Sequence, residues 1–224
     1  MYLDHFKLRE MPFNLTPGTR FLHFTAGHRA ALDHLIYGIQ QRKGFTVLVG
    51  EVGSGKTMLC RALLRELDPK FRTALILNPR LSESQMLRAI LAELEVPNAK
   101  GDKLSLRDRF NNYLLDQAAQ GNDVVLVIDE AQTLSRDMLE NIRLLSNLET
   151  ETQKLLQIVL VGQPEMAEKL EAYELRQLGQ RISLSCHLSP LTFKESIEYI
   201  RHRVRIAARN AGVPFTRNAF RKIF

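Results

Sequence analysis

A glycine-rich motif early in the chain carries the residue types that bind the phosphates of a nucleotide. It matches the P-loop pattern GxxxxGK followed by Ser or Thr, and it consists of Gly50, Glu51, Val52, Gly53, Ser54, Gly55, Lys56 and Thr57. Its glycines let successive backbone N–H groups face the phosphates. We expect Lys56 to contact the β- and γ-phosphates and the Thr57 hydroxyl to coordinate Mg²⁺. Extended by Met58, the motif predicts a binding site for ATP and Mg²⁺.

The segments on either side of the motif are those that a P-loop requires. Residues 45–49 form a β-branched apolar run that predicts a strand, and residues 58–67 are rich in helix formers. An ordinary glycine-rich turn between a strand and a helix is the alternative interpretation. The correct flanks on both sides favour the P-loop.

Two acidic residues follow another predicted strand. Residues 124–128 form the longest aliphatic run, and Asp129 and Glu130 come directly after it. Ligands of open α/β sheets bind at the carboxyl ends of such strands. We expect Asp129 to hold Mg²⁺ through water and Glu130 to polarise the attacking water as a general base. Acidic residues also favour a helix start, but that interpretation leaves the P-loop without a magnesium partner.

Three further polar residues become candidates only beside such a site. Gln163 follows the predicted strand 156–161 and could contact the γ-phosphate or the water; a structural loop residue beside Pro164 is an equal alternative. Arg176 and Arg181 lie near the end of the sheet-forming region. An arginine supplied there to a neighbouring subunit would stabilise charge in the transition state. Taken singly, each arginine is better explained as a solvated helix residue.

The rest of the chain alternates apolar strands with helices. Two further strands are predicted at residues 73–77 and from 182 to 184, and helices are predicted at 83–94, 104–119, 138–148 and 193–211. Near-continuous apolar strands are typical of a parallel sheet covered on both faces. The predicted fold is therefore an α/β P-loop fold in which helices flank a parallel β-sheet. Pro190 marks a predicted domain boundary.

The composition of the 224-residue chain is that of a soluble globular protein, with 45% hydrophobic and 25% charged residues. Its longest aliphatic run is far shorter than the ~18–20 apolar residues of a membrane-spanning helix. Asp4 and Lys7 lie where a secretory signal needs apolar residues, so we expect a cytoplasmic location. Cys60 and Cys186 lack the spacing of a metal site or a disulfide framework. We expect both to be reduced packing residues.

The formal charge of +6 and the pI near 9.5 permit an affinity for nucleic acid or for an anionic membrane surface. Much of the excess lies near the end of the sequence, at Arg201, Arg203, Arg205, Arg209, Arg217, Arg221 and Lys222. Arg201, Arg205 and Arg209 recur every four residues, which is also the pattern of any solvated helix face. The charge alone therefore does not identify a partner.

Several further segments of the chain form a recognisable set. They are residues 2–8, 12–17, 28–32 (His-Arg-Ala-Ala-Leu), 129–132 (Asp-Glu-Ala-Gln), 144–150, 157–164 and 180–182. Together they resemble the ExeA/GspA-like family of AAA+ ATPases from bacterial secretion and type IV pilus systems. These segments occur in the expected order and cover nearly the whole chain. They are much more specific than a P-loop.

The resemblance implies an AAA+ module that assembles into a homo-oligomeric ring of six subunits, with nucleotide at the subunit interfaces. It makes Gln163 a sensor of the γ-phosphate, Arg181 the preferred trans-acting finger and Arg176 the second choice. It also implies that residues 2–28 wrap near the adenine, although Phe13 and Phe21 are better explained as core packing. The implied function is ATP hydrolysis that drives assembly or remodelling of a secretion or MSHA-like pilus complex. The implied partner is an inner-membrane protein, and the implied location is cytoplasmic and peripheral at that membrane.

The expected domains are a nucleotide-binding domain at 1–190, which includes the N-terminal segment 1–30, and a helical lid that starts at 191–224. In the family the lid continues into a Gly-Ile-Pro-Arg segment that this sequence does not reach, so we expect a truncated lid. Related transposition ATPases of the TnsC or MuB kind give an alternative function, in which arginines between 201 and 209 contact DNA phosphates. A metabolite kinase is disfavoured, because no acceptor-binding segment is evident and Glu130 indicates water activation.

Overall fold

The computed structural model describes residues 2–14, 19–21, 23–97, 99–149, 154–208 and 215–224. The chain forms two compact units. The larger comprises His28–Ser189, and the smaller joins residues 1–27 to residues 190–224.

The larger unit is built on a parallel sheet whose strands are β1 (Phe45–Gly50), β2 (Phe71–Ile76), β3 (Asp123–Ile128), β4 (Leu156–Gly162) and β5 (Ile182–Leu188). Their order across the sheet is β2-β3-β4-β1-β5. Leu48 of β1 is in register with Val161 of β4 and with Cys186 of β5. Because β4 lies between β1 and β3, the residues that follow these three strands meet at one edge of the sheet.

The central strands differ from the edge strands in burial. Every residue of β1, β3 and β4 is buried, which is what helices on both faces of a parallel sheet produce. The edge strand β5 instead exposes Ser183, Ser185 and His187 in alternation. The sequence predicted only the start of β5, because these polar residues interrupt the apolar run.

Ten helices lie in the described part of the chain. They are α1 (Tyr2–His5), α2 (Ala26–Gln40), α3 (Lys56–Glu66), α4 (Glu83–Glu93), α5 (Lys103–Ala119), α6 (Arg136–Leu145), α7 (Glu165–Glu171), α8 (Arg176–Gly179), α9 (Phe193–Ala207) and α10 (Arg217–Ile223). Side-chain caps fix several starts: Ser82 and Thr192 form capping boxes with Gln85 and Glu195. The helix predicted to reach residue 211 ends at Ala207, and residues 209–211, including Arg209, lie outside the described residues.

The smaller unit has an apolar cluster of its own, made of Leu8, Phe21, Ile200, Val204, Ala207 and Phe220. Leu8 also forms an antiparallel bridge with Ala208. These contacts explain why the N-terminal segment groups with the C-terminal helices, whereas the sequence had suggested that residues 1–30 belong with the nucleotide-binding domain. Phe21 is a core residue, as expected, whereas Phe13 is 46% exposed, so the expectation that it packs in the core is wrong.

One arginine of the predicted basic group is not on the surface. Arg203 is 6% exposed, and its guanidinium lies 5.5 Å from the ring centroid of Phe21 and 5.2 Å from that of Tyr199. Such stacking on aromatic rings is a favourable environment for a buried guanidinium. Arg203 is therefore a packing residue, while Arg201 and Arg205 on the same helix are exposed. Among the described helices, none is both long enough and apolar enough to cross a bilayer.

Candidate nucleotide-binding site

The P-loop connects β1 to α3, and its path depends on glycine. Gly53 and Gly55 have φ angles of 80° and 94°, a left-handed conformation that residues with a Cβ rarely adopt. Gly50 is required for a different reason, since a Cβ there would lie 2.7 Å from the carbonyl oxygen of Leu188. The Ser54 N–H donates to the Glu51 carbonyl at 3.1 Å and closes the turn. The loop thus has the curled backbone that its sequence predicts.

The loop leads into a helix whose start has no capping side chain. Gly55 is the N-cap residue of α3, and a glycine cannot accept hydrogen bonds from the first-turn amides as Ser or Asp would. These amides and the positive end of the helix dipole therefore remain suited to an anion.

The P-loop lysine is held in place by the loop itself. Lys56 is 6% exposed, and its Nζ donates to the carbonyl oxygens of Gly50 at 2.8 Å and Glu51 at 2.9 Å. An ammonium group has three N–H donors, so one remains after these two bonds. The geometry fixes a positive charge beside the loop and leaves a donor for a phosphate oxygen.

Two oxygen groups that could bind a metal ion lie side by side next to the loop. The Thr57 Oγ1 donates to Asp129 Oδ2 at 2.5 Å, and the other carboxylate oxygen accepts from the Glu130 N–H at 2.9 Å. Asp129 is only 2% exposed. Mg²⁺ is usually bound by one or two protein oxygens together with water and substrate phosphates. This donor set fits Mg²⁺, and within the described residues no cluster of three or more His, Cys, Asp or Glu offers another metal site.

Glu130 lies between two glutamine amides. Its Oε2 accepts from Gln132 Nε2 at 2.6 Å, and Gln163 Nε2 lies 3.5 Å from the same oxygen, which is long for a hydrogen bond. The Glu130 backbone is left-handed, with φ 55°, an unusual conformation for this residue that is often found at functional sites. The structure thus places Gln163 next to Glu130, and both line the same cleft.

Gln132 has a role that sequence reasoning did not assign. Besides its bond to Glu130, its Oε1 accepts from the backbone N–H of Gln163 at 3.2 Å. Gln132 therefore bridges the residues that follow β3 and β4. Its position two residues after Glu130 was a sequence signal that it lies near the candidate site. Nothing in the sequence indicated that it contacts the residue after β4.

Two neighbouring residues hold Gln132 in this position. Lys169 of α7 donates from Nζ to the carbonyl oxygens of Gln132 at 2.6 Å and Leu134 at 2.7 Å, which fixes the turn that follows Glu130. Gly162 leaves room for the amide, because a Cβ there would lie 2.9 Å from Gln132 Oε1. The position of Glu130 is thus supported by contacts outside the P-loop.

These groups line a cleft of about 230 Å³. Its described lining residues are Val52, Gly53, Gly55, Lys56, Thr57, Met58, Glu130 and Gln163. Of the other predicted site residues, Asp129 and Ser54 are buried behind this surface, and Gly50 is buried at the end of β1. Glu51 is exposed at the start of the loop.

Arg181 and Arg176 do not line this cleft. Arg181 precedes Ile182, which is in register with Phe45 at the amino end of β1, whereas the P-loop follows the carboxyl end. The seven residues of β5 separate these two edges by roughly 20 Å. Arg181 donates to Ser146 Oγ at 3.2 Å and also to Asn147 Oδ1.

Arg176 has a different partner from Arg181. Its guanidinium lies 4.8 Å from the centroid of the Tyr173 ring. The structure therefore places Arg181 at the opposite edge of the sheet from the cleft, and Arg176 is not among the residues that line the cleft.

The two cysteines are buried free thiols. Burial raises the pKa of Cys60, and the nearby Asp129 carboxylate raises it further. Burial also raises the pKa of Cys186. Both thiols are therefore neutral at physiological pH and act as apolar packing groups.

Comparison with known proteins identifies a family and a curated relative. The family described as "AAA domain" matches residues 39–170. General secretion pathway protein A from Aeromonas hydrophila is 44% identical over 208 residues, which are 92% of this chain and 38% of that protein. The chain thus spans less than two fifths of the length of this relative.

Solved structures of ORC and Cdc6 proteins share the fold. The Aeropyrum pernix ORC2 protein, solved as ADPNP–ADP complexes, gives a TM-score of 0.68 at 15% identity over 84% of this chain and 54% of its own. Cdc6p from Pyrobaculum aerophilum gives a TM-score of 0.68 at 18% identity over 93% of this chain and 58% of its own. The Aeropyrum pernix ORC1 protein in complex with DNA gives a TM-score of 0.61 at 19% identity over 86% of this chain and 53% of its own. These similarities confirm the predicted α/β P-loop fold.

Proposed function

Because this chain belongs to the ExeA/GspA-like family of AAA+ ATPases, we propose that it hydrolyses ATP to drive assembly or remodelling of a secretion or MSHA-like pilus complex at the inner membrane. Family membership implies nucleotide binding. The proposal adds the reaction, the residues that perform it and the process that it drives. The observation that carries it is the position of Glu130, which lines the same cleft as Lys56 and Thr57 and is oriented by Gln132.

Each residue of the cleft has a role that its geometry supports. The P-loop amides and the remaining N–H of Lys56 bind and orient the phosphates. Thr57 and Asp129 would hold Mg²⁺, which neutralises charge on the phosphate oxygens when bound. Glu130 accepts a proton from the attacking water at its carboxylate, as a general base must. Gln163, at the end of the adjacent strand, senses the γ-phosphate and is linked to Glu130 through Gln132.

Family membership supports an oligomer and a membrane partner, and the position of Arg181 is compatible with a role in a neighbouring subunit. We include in the proposal a ring of six subunits in which Arg181 of one subunit, with Arg176 as second choice, reaches the cleft of its neighbour. The assembly acts in the cytoplasm, peripheral to the inner membrane, on a secretion or pilus protein of that membrane. Residues 191–224 contribute to a helical lid.

Two substitutions test the reaction. Lys56→Ala should weaken nucleotide binding, whereas Glu130→Gln should retain binding and lose most phosphate release, since it removes only the proton acceptor. Glu66→Gln, which changes an exposed carboxylate at the end of α3, is the matched control. Phosphate release by Glu130→Gln at the wild-type rate would show that Glu130 is not the general base. Release from ATP without any small-molecule acceptor also distinguishes an ATPase from a kinase.

An ATP-dependent DNA-binding regulator of the transposition type is the second candidate. Arg201 and Arg205 favour it, because both are exposed on one helix and could contact phosphates. Arg203 does not contribute, since it is buried. A salt-dependent shift of duplex DNA in the presence of a non-hydrolysable ATP analogue would support this function. The absence of a shift at low salt would exclude it.

A further inference from the structure

The segment at residues 28–32 begins with a histidine that packing alone does not explain. It lies on the first turns of α2, where Ala31 and Leu32 are core residues. His28 is 8% exposed, and its Nε2 lies 2.9 Å from the carbonyl oxygen of Ser54 in the P-loop. A carbonyl oxygen only accepts, so Nε2 carries the proton and donates it to Ser54. An imidazole from outside the nucleotide motif therefore contacts its backbone.

This bond sets the direction of a neighbouring amide. The Ser54 carbonyl and the Gly55 N–H belong to one peptide unit, and the described chain contains no cis peptide bond. In a planar trans peptide the C=O and the N–H point in opposite directions. With the carbonyl held toward His28, the Gly55 N–H is directed away from the imidazole, and Gly55 itself lines the cleft.

The loop needs such an anchor because glycine restrains it weakly. Gly55 has a φ of 94°, and glycine also reaches many other conformations at little cost. Rotation of the 54–55 peptide would replace an N–H donor by a carbonyl oxygen, which repels phosphate. The imidazole is in close contact with this peptide, since a Cβ on Gly55 would lie 2.8 Å from His28 Nε2.

We infer that His28 is a positioning residue for phosphate binding, which acts by fixing the peptide between Ser54 and Gly55 so that the Gly55 amide faces the phosphates. The inference rests on the nucleotide site of the proposed function but not on hydrolysis. Its ligand class is the phosphate chain of a nucleoside di- or triphosphate.

Two substitutions that introduce a side-chain amide at position 28 distinguish the effect of the N–H donor from that of the fit of the side chain. His28→Gln keeps an N–H donor at the reach of Nε2, whereas His28→Asn is polar but too short to reach Ser54. The affinity for Mg·ADP is measured by calorimetry on the whole chain. We expect His28→Asn to bind about tenfold more weakly, the effect of misdirecting one donor to a charged group, and His28→Gln to stay near wild type. His34→Asn is the matched control, because His34 is exposed on the same helix.

A second measurement needs no ligand. Hydrogen–deuterium exchange of the P-loop amides in nucleotide-free protein should be faster in His28→Asn than in His28→Gln, while the core of the sheet stays protected. In steady-state assays, the KM for ATP should rise in His28→Asn while kcat changes much less. If His28 were merely structural, its substitution would lower thermal stability, but His28→Asn and His28→Gln would not differ in amide exchange or in KM.

Equal Mg·ADP affinity of wild type, His28→Asn and His28→Gln would overturn the inference and leave the ATPase proposal intact. Equal weakening in both variants would also overturn it, because the retained donor would then have no effect. Binding without hydrolysis in wild type, with the expected order of affinities, would support the role of His28 and refute the proposed reaction. Failure of the wild type to bind Mg·ADP would overturn both.

Discussion

Replacing Gln132 with leucine should slow ATP hydrolysis while leaving nucleotide binding intact. The substitution removes the 2.6 Å hydrogen bond from Gln132 Nε2 to Glu130 Oε2. It changes no residue of the P-loop. A hydrogen bond to a charged group contributes about 1.5–3 kcal/mol. The lower end applies because the side chain is partly exposed, and it corresponds to a roughly tenfold loss in kcat. The Gln163 amide, 3.5 Å from the same oxygen, is too distant to substitute.

The assay is phosphate release as a function of ATP concentration. We expect the kcat of Gln132→Leu to fall about tenfold and its KM to change little, because Lys56 and the loop amides are untouched. Gln120→Leu, which replaces an exposed glutamine at the end of α5, controls for the change in residue type. A folded Gln132→Leu protein with a kcat equal to or above that of wild type would refute the view that Gln132 orients the base. Gln132 would then hold Glu130 in a resting position.

Three other predictions, two on substitutions and one on the reactivity of a native thiol, test separate parts of the structure. Gly162→Ala should lower the free energy of unfolding by about 1–3 kcal/mol in urea titrations, the usual cost of overpacking. The new Cβ would lie 3.0 Å from Met166 Cβ and 3.4 Å from the Gln132 backbone nitrogen, besides 2.9 Å from Gln132 Oε1. Unchanged stability would contradict this packing. Cys60 should react slowly with thiol reagents in the native protein, because burial raises its pKa. Rapid reaction without unfolding would show that the thiol is accessible. Arg181→Ala subunits should be impaired alone but regain activity when mixed with Glu130→Gln subunits, and failure to complement would favour a structural arginine.

The geometry of the candidate nucleotide site could be predicted in large part because its residues are local in sequence. A P-loop needs a strand, glycines at fixed spacing and a helix start, and all three lie within consecutive residues. The same is true of Asp129 and Glu130, which follow the apolar run of β3 directly. Their predicted proximity to the loop needed only the general rule that parallel strands present their carboxyl ends at one edge.

The contacts around Glu130 could not be predicted, because they depend on the order of the strands. Gln132 and Gln163 are 31 residues apart and meet only because β4 is the neighbour of β3. No residue pattern within one strand specifies its neighbour in a parallel sheet. The grouping of the N-terminal segment was missed for the same reason, since the bridge from Leu8 to Ala208 joins distant parts of the chain.

The charge of the cleft indicates what a predicted arginine would add to the site. Among the described lining residues Lys56 is the cation, and Glu130 opposes it. Transfer of a phosphoryl group to water spreads negative charge over oxygens that a lysine and Mg²⁺ contact only in part, so a further cation accelerates the reaction. Arg181 lies at the opposite edge of the sheet, roughly 20 Å away by the length of β5, and its bonds to Ser146 and Asn147 hold it there. If Arg181 takes part in hydrolysis, it therefore acts on the cleft of another subunit, and recovery of activity in mixed assemblies is the result expected for that role.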